Sequence, residues 1–306
     1  MKRMIVFPGQ GAQFKGMGKD LFDNSAAVRD IFRRADEALG FSLSDICFNG
    51  PEEKLTLTKY AQPAILTVSY AAWKAMEEKV NINNIEFMAG HSLGEYTALV
   101  ASGALEFEEA VRTVFKRGEY MQNAVAEGKG SMAAVLNASR EKIYKVCDES
   151  GHLVSPANFN SPRQVVVSGL TEGVDFVVSS LKKDRIRAKK LKVSAPFHSK
   201  LMKPAAENMI SVLNTMTVNK MKYPVISNVT AQPAARPDDI RDLLAEQITA
   251  AVRWDDSVVY ARKKGVDEIV EIGPGKVLSG LARHIDREIS TKNISSWEDI
   301  KSVEFH

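Results

Sequence analysis

The stretch Glu86-Phe87-Met88-Ala89-Gly90-His91-Ser92-Leu93-Gly94-Glu95-Tyr96-Thr97-Ala98-Leu99-Val100-Ala101 decides the fold. Residues 86–89 read as a short buried strand and residues 95–101 as a helix. Between them lies Gly-x-Ser-x-Gly, the spacing of a nucleophile elbow. Such a sharp turn strains the backbone. The glycines keep side chains away, and the Ser92 hydroxyl stands exposed at a helix N-terminus, where the dipole and free N–H groups favour developing negative charge. By chance the bare pattern arises in about one chain in ten of this length. On its own it also fits a tight turn with Ser92 as N-cap.

The rest of the composition narrows the field. The chain has 306 residues, 44% hydrophobic and 26% charged, with a net charge of +3. That is ordinary globular composition, long enough for two domains or one large domain with an insert. The charge is too small to argue for nucleic acid, and no aromatic–basic or zinc pattern supports it. Cys47 and Cys147 are the only cysteines and lack Cys-x-x-Cys spacing, which points to a reducing compartment and no metal site. The apolar run Met4–Phe7 is too short for a signal peptide, and no apolar run reaches about 18 residues. A cytoplasmic protein with no membrane span is expected.

Outward from the elbow, Met4–Phe7 reads as a strand running into Pro8-Gly9-Gln10-Gly11-Ala12-Gln13. Such a turn gathers backbone N–H groups toward one point. No Gly-Lys-Ser/Thr follows, so a phosphate loop is excluded; an oxyanion-hole loop and a plain turn both stand. Residues 20–40 and 56–80 read as helices, the second apolar on most faces. Residues 108–126 form an amphipathic helix with Val111, Val114, Phe115 and Met121 inward. Arg117 falls on the face of Val114 and Met121, and a buried arginine needs an anionic partner.

From Ser131 the rhythm changes. Strand 132–136, helix 140–150, strand 153–157, turn 158–162, strand 164–168, helix 173–183 and strand 186–193 give β-α-β-β-α-β, the ferredoxin-like order. Seven basic residues lie between Lys182 and Lys192; they suit a lysine-guarded edge strand or a face for an acidic partner or phosphate. The chain then re-enters the body through the loop Ala195–Ser199. A helix at 201–216, a strand at 223–228, helices at 238–252 and 257–264, a strand at 268–272 and a helix at 277–285 follow. The segment after Ser290, with its isolated Trp297, reads as a tail or linker. Strands alternating with helices predict a mostly parallel sheet covered on both faces.

A serine needs a base to attack a thioester at neutral pH. Of five histidines, His91 adjoins Ser92 on a tight turn and points away. His152 falls in an insert loop, His284 late in a helix and His306 at the end of the chain. His198 sits where the chain re-enters the body; it reads as the base by elimination, or as a cap on the following helix. No carboxylate between Ser92 and His198 stands out as a third member. A backbone carbonyl can orient the ring instead, so a Ser–His dyad is expected.

Taken together, Phe7–Gln13, Gly90–Tyr96, Arg117-Gly118-Glu119-Tyr120-Met121, Asn158–Pro162, Pro196-Phe197-His198-Ser199 and Glu271–Leu278 resemble the malonyl-CoA:acyl-carrier-protein transacylases of fatty acid synthesis and the acyltransferases of polyketide synthases. The resemblance covers about residues 4–286. It implies an α/β-hydrolase-like body (1–126 and 196–290) with a ferredoxin-like insert (127–195) and a tail at 291–306. It implies Ser92 as the acylated nucleophile, His198 as its base, and the backbone carbonyl of Gln247 as orienter of that base. The amides of Gln10 and Leu93 would form the oxyanion hole, and Arg117 would grip the malonyl carboxylate. Gln62 and Val277 would line the pocket, with Phe197 narrowing it. No bound cofactor is implied: malonyl-CoA is the donor, and phosphopantetheine arrives on an acyl carrier protein. A monomer is expected, with carrier docking at the groove between body and insert. Two rival functions remain, a proofreading acyl-thioester hydrolase on this fold and a non-catalytic scaffold that docks the carrier.

Overall fold

In the computed structural model, which describes residues 1–193, 195–234 and 236–305, the chain begins with β1 (Arg3–Phe7), buried along its whole length. Helices α1 (Lys19–Asn24), α2 (Ala26–Leu39), α3 (Leu43–Asn49), α4 (Glu52–Thr56) and α5 (Thr58–Lys79) follow. Then come β2 (Ile85–Gly90), α6 (Leu93–Ala101) and α7 (Phe107–Asn123). The second unit holds β3 (Gly130–Leu136), α8 (Arg140–Glu149), β4 (Val154–Ser161), β5 (Gln164–Leu170), α9 (Thr171–Lys183) and β6 (Arg187–Lys190). Back in the body are α10 (Lys203–Asn214), α11 (Pro237–Gln247), α12 (Trp254–Lys263) and β7 (Glu268–Ile272). The chain closes with α13 (Val277–Ile285), β8 (Ser290–Ile294) and α14 (Trp297–Ser302).

The body is built on a parallel sheet in the order β2-β1-β7-β8. Alternate residues of β1 feed opposite cores: Ile5 and Phe7 face the layer holding α2, α5 and α6, while Met4 and Val6 face Trp254, Val258 and Leu281. A strand buried on both faces reads as a continuous apolar run, as Met-Ile-Val-Phe does. The insert carries an antiparallel sheet in the order β4-β5-β3-β6, backed by α8 and α9 around its own core of Val135, Ile143, Val167 and Val177. This is the expected α/β architecture with a ferredoxin-like second sheet. Gly130 and Pro196 meet where the insert leaves and rejoins the body; a Cβ on Gly130 would lie 2.3 Å from the proline ring.

Several local expectations differ. Residues 20–40 form two helices, because the Ser25 hydroxyl accepts the Val28 N–H and starts a new one. Asn158–Ser161 is strand, not turn. Its polar side chains disguise a backbone paired on one edge with β5 and on the other with Val252, through 2.8 Å bonds at Phe159 N and Ala157 O. Tyr223–Asn228 is not a regular strand. Pro224 and Ile226 bracket only Met88 of β2, after which the chain turns back through Ser227–Gln232. The segment from Ser290 is no free linker: β8 extends the sheet parallel to β7, and α14 lays Ile300 and Trp297 on the larger core. As an edge strand it pairs through its backbone and fully buries only Ile294, so its composition stays polar.

Candidate active site

β2 delivers the chain to Ser92, which adopts φ 50°, ψ −102° at the start of α6. The glycines serve close approach. A Cβ on Gly90 would sit 1.9 Å from the Gly94 carbonyl carbon, one on Gly94 2.1 Å from the Phe7 oxygen, and one on Gly9 2.3 Å from the His91 oxygen. The elbow therefore rests directly on the loop after β1. Asn228 braces it from below: its Oδ1 accepts the Ser92 N–H at 2.7 Å and its Nδ2 donates to the Gly90 carbonyl at 2.8 Å. A side chain replaces the ladder bonds that the turn cannot make.

His198 comes from the loop after the insert and is buried. Its Nε2 lies 2.8 Å from Ser92 Oγ, and its Nδ1 lies 2.8 Å from the Gln247 carbonyl at the end of α11. A carbonyl only accepts, so the proton sits on Nδ1 and Nε2 is left to take the serine proton. Burial, helped by the nearby Arg117 charge, pushes His198 down to about 3 and holds the ring neutral.

Arg117 is 1% exposed. Gly118 beside it lets α7 press against the start of α5, where a Cβ would fall 2.6 Å from Lys59 Cα. The guanidinium donates from Nη1 to Gln62 Oε1 at 2.7 Å, and from Nη2 to Gln247 Oε1 at 2.8 Å and Ser92 Oγ at 3.1 Å. Among the described residues its Nε has no hydrogen-bond partner and no carboxylate pairs with it. A desolvated cation satisfied only by neutral groups is costly to hold. Burial pulls its pKa below the ordinary arginine value, yet an arginine side chain stays charged.

These groups open on one cavity of about 400 Å³, lined by Ser92, His198, Arg117, Gln62, Leu93, Gln10 and Phe197. Met121, Met132, Leu57 and Lys192 are also in its lining. The amides of Gln10 and Leu93 have no acceptor among the described residues. Val277 is the exception: it is 56% exposed at the start of α13 and does not line the cavity. Its side chain projects from the first turn of a helix whose apolar stripe lies at Leu278, Leu281 and Ala282. His91 turns away from Ser92, as expected, and its Nε2 meets Asn160 Oδ1 at 2.8 Å. His152 and His284 lie elsewhere, and His306 is outside the described residues. Sequence reading missed Asn228, Glu95 and the side-chain role of Gln247. Glu95 stood in the quoted motif, but nothing local marks Asn228 or Gln247, which reach the elbow only through the fold.

A hydroxyl bonded to a neutral, oriented imidazole, on a strand–helix elbow of a parallel α/β body, defines a class: proteins that carry out acyl transfer through an acyl-serine. Beside the hydroxyl lies a buried guanidinium with no carboxylate partner among the described residues. The chain belongs to the acyl transferase family, matching the family described as "Acyl transferase domain" over residues 4–298. It is 46% identical to the malonyl CoA-acyl carrier protein transacylase of Bacillus subtilis (98% of this chain, 95% of that protein) and 43% identical to the Escherichia coli K12 protein of that name (92% of each). Among solved structures, an acyl-carrier-protein S-malonyltransferase from Bartonella henselae superposes with a TM-score of 0.96 at 41% identity, covering 99% and 98% of the two chains. A malonyl-transacylase in complex with its type II PKS acyl-carrier protein superposes with a TM-score of 0.96 at 39% identity, covering 99% and 98%.

Proposed function

We propose that this protein moves a malonyl group from malonyl-CoA to the phosphopantetheine thiol of an acyl carrier protein, in fatty acid or polyketide synthesis, by way of malonyl-Ser92. The observation that carries this reading is Arg117: a buried cation without a carboxylate, 3.1 Å from the nucleophile. The names of the relatives point the same way.

His198 Nε2 takes the Ser92 proton as Oγ attacks the thioester carbonyl. The tetrahedral oxyanion settles on the amides of Gln10 and Leu93, each such donor contributing roughly 3–4 kcal/mol. Collapse expels the CoA thiolate, which takes the proton from His198. The carrier's thiol then enters the same site, gives its proton to His198 and reverses the steps. One site serving two thiols in turn requires ping-pong kinetics. Throughout, Arg117 holds the free carboxylate as a planar fork. An acetyl group would leave the buried guanidinium without that anion, a penalty of about 3–5 kcal/mol. Phe197 beside the base narrows the room at the acyl α-carbon.

We take the insert as residues 127–195 on a body of 1–126 and 196–290. The carrier docks at the groove between them, near the basic run from Lys182 to Lys192, and the enzyme works as a cytoplasmic monomer without a bound cofactor. The test is a two-step assay. The protein is loaded with malonyl-CoA, freed of CoA and then offered a carrier protein. Transfer to the carrier with little free malonate supports the reading. Rapid release of free acid, above all from acetyl-CoA, favours the hydrolase, and no serine adduct at all favours the scaffold.

A further inference from the structure

Glu95 is a carboxylate the reaction does not use, yet it is 3% exposed and lies within the site's hydrogen-bond network. From the first turn of α6 its Oε2 accepts the Asn228 N–H at 2.9 Å and Gln247 Nε2 at 2.7 Å. The same Gln247 amide offers Oε1 to Arg117 and donates from Nε2 to the Ser92 carbonyl at 3.1 Å. Anion and cation are thus joined through one neutral amide rather than paired directly. An ionised carboxylate only accepts, so Nε2 must face Glu95 and Oε1 must face Arg117. The flipped amide would set N–H against guanidinium N–H and oxygen against carboxylate oxygen. We propose that Glu95, acting through the side-chain amide of Gln247, is a positioning residue that aims the Arg117 guanidinium at the acyl carboxylate and so sets acyl selectivity. This rests on the function proposed above.

Protonation of Glu95 removes the charged acceptor that pins Nε2; the donor-only guanidinium still requires Oε1 to face it, so the amide keeps its orientation but holds Arg117 less firmly. The charged or titratable groups facing Glu95 are Arg117 from α7 and Tyr96 from its own helix; Asn228, Ser227 and Gln247 are neutral. Burial pushes the carboxyl up to about 7, so the lock weakens within an accessible pH range.

The experiment measures kcat/KM for malonyl-CoA and acetyl-CoA from about pH 8.5 to about pH 6. Taking their ratio cancels the titration of the thiols. The wild-type ratio is expected to fall as pH drops through about 7. In Glu95→Gln the ratio should start lower and stay flat. Gln247→Leu keeps the backbone carbonyl that orients His198, and it should lower the ratio about tenfold, mainly through KM for malonyl-CoA. A flat wild-type profile, an unchanged slope in Glu95→Gln, or a wild-type ratio in Gln247→Leu would overturn the proposal. A merely structural role would reduce both substrates alike. Arg117→Ala separates the two levels: if it leaves the ratio intact, the malonyl reading itself is wrong, whereas if it alone collapses the ratio, only the relay fails.

Discussion

In the proposed reaction Ser92 and His198, 2.8 Å apart, work as a pair whose chemistry is set by what surrounds the imidazole. The ring must be neutral to accept the serine proton, and burial together with Arg117 pushes its pKa down to about 3, against an ordinary value near 6.5. A depressed base stays competent as pH falls. Acylation of Ser92 by a small neutral donor should therefore hold from about pH 8 down to about pH 5, read by stopped-flow burst amplitude and rate. A loss centred near 6.5 would show an ordinary, solvated histidine. Because Arg117 is the second cause of the depression, Arg117→Ala should move the acid limb upward. Asn228 carries a different duty. Asn228→Ala removes both braces of the elbow and should lower stability by about 1–3 kcal/mol, measured by urea unfolding, while also slowing acylation.

At the scale of elements, the site depends on how closely backbones approach. The elbow between β2 and α6 lies on the loop after β1 with no room for a methyl group at Gly94. Gly94→Ala should destabilise the fold by at least about 1–3 kcal/mol and separate Ser92 from Gln10; thermal melting and burst kinetics would both report it. Wild-type behaviour would mean the loop yields. Much at this scale was legible beforehand. The elbow, the β-α-β-β-α-β insert and α13 follow from periodicity and turn residues, since local chemistry specifies them. What escaped were elements stabilised from outside. β8 is a polar run that becomes a strand because β7 offers it a partner. Asn158–Ser161 looks like a turn until Val252 pairs with it. That Ser92, His198 and Arg117 meet in one cavity was readable because an elbow serine, a loop histidine and an inward arginine are few in this chain and stand in telling places. Asn228 and the Gln247 side chain were not, because an amide acquires its role only when distant segments meet. Val277 was misplaced because a position in a motif does not say which way a side chain points.

Over the whole molecule, two cores share one sheet and the insert is clasped to the body through polar side chains. Arg140 of α8 grips Asp255 and Asp256 of α12, and Asn160 of β4 holds His91. The body's sheet has its own buried tie: Arg3 of β1 meets Glu268 of β7 at 2.7 Å, both 1% exposed. Glu268→Ala would take the buried carboxylate from Arg3 Nε while Nη1 keeps its bonds to Asn83, and should cost about 1–3 kcal/mol, seen as a lower urea midpoint at unchanged slope; a loss under about 1 kcal/mol would mean the pair is solvated or replaced. In the proposed function this scaffolding keeps the Ser92 hydroxyl and the Arg117 guanidinium in one cavity, the first to carry a short acyl group and the second to hold its free carboxylate. Offering malonyl-CoA and acetyl-CoA together and weighing the Ser92 adducts by mass spectrometry tests that directly. The intact protein should carry almost only malonyl, and Arg117→Ala should carry mostly acetyl. Equal malonyl preference in both proteins would contradict the account.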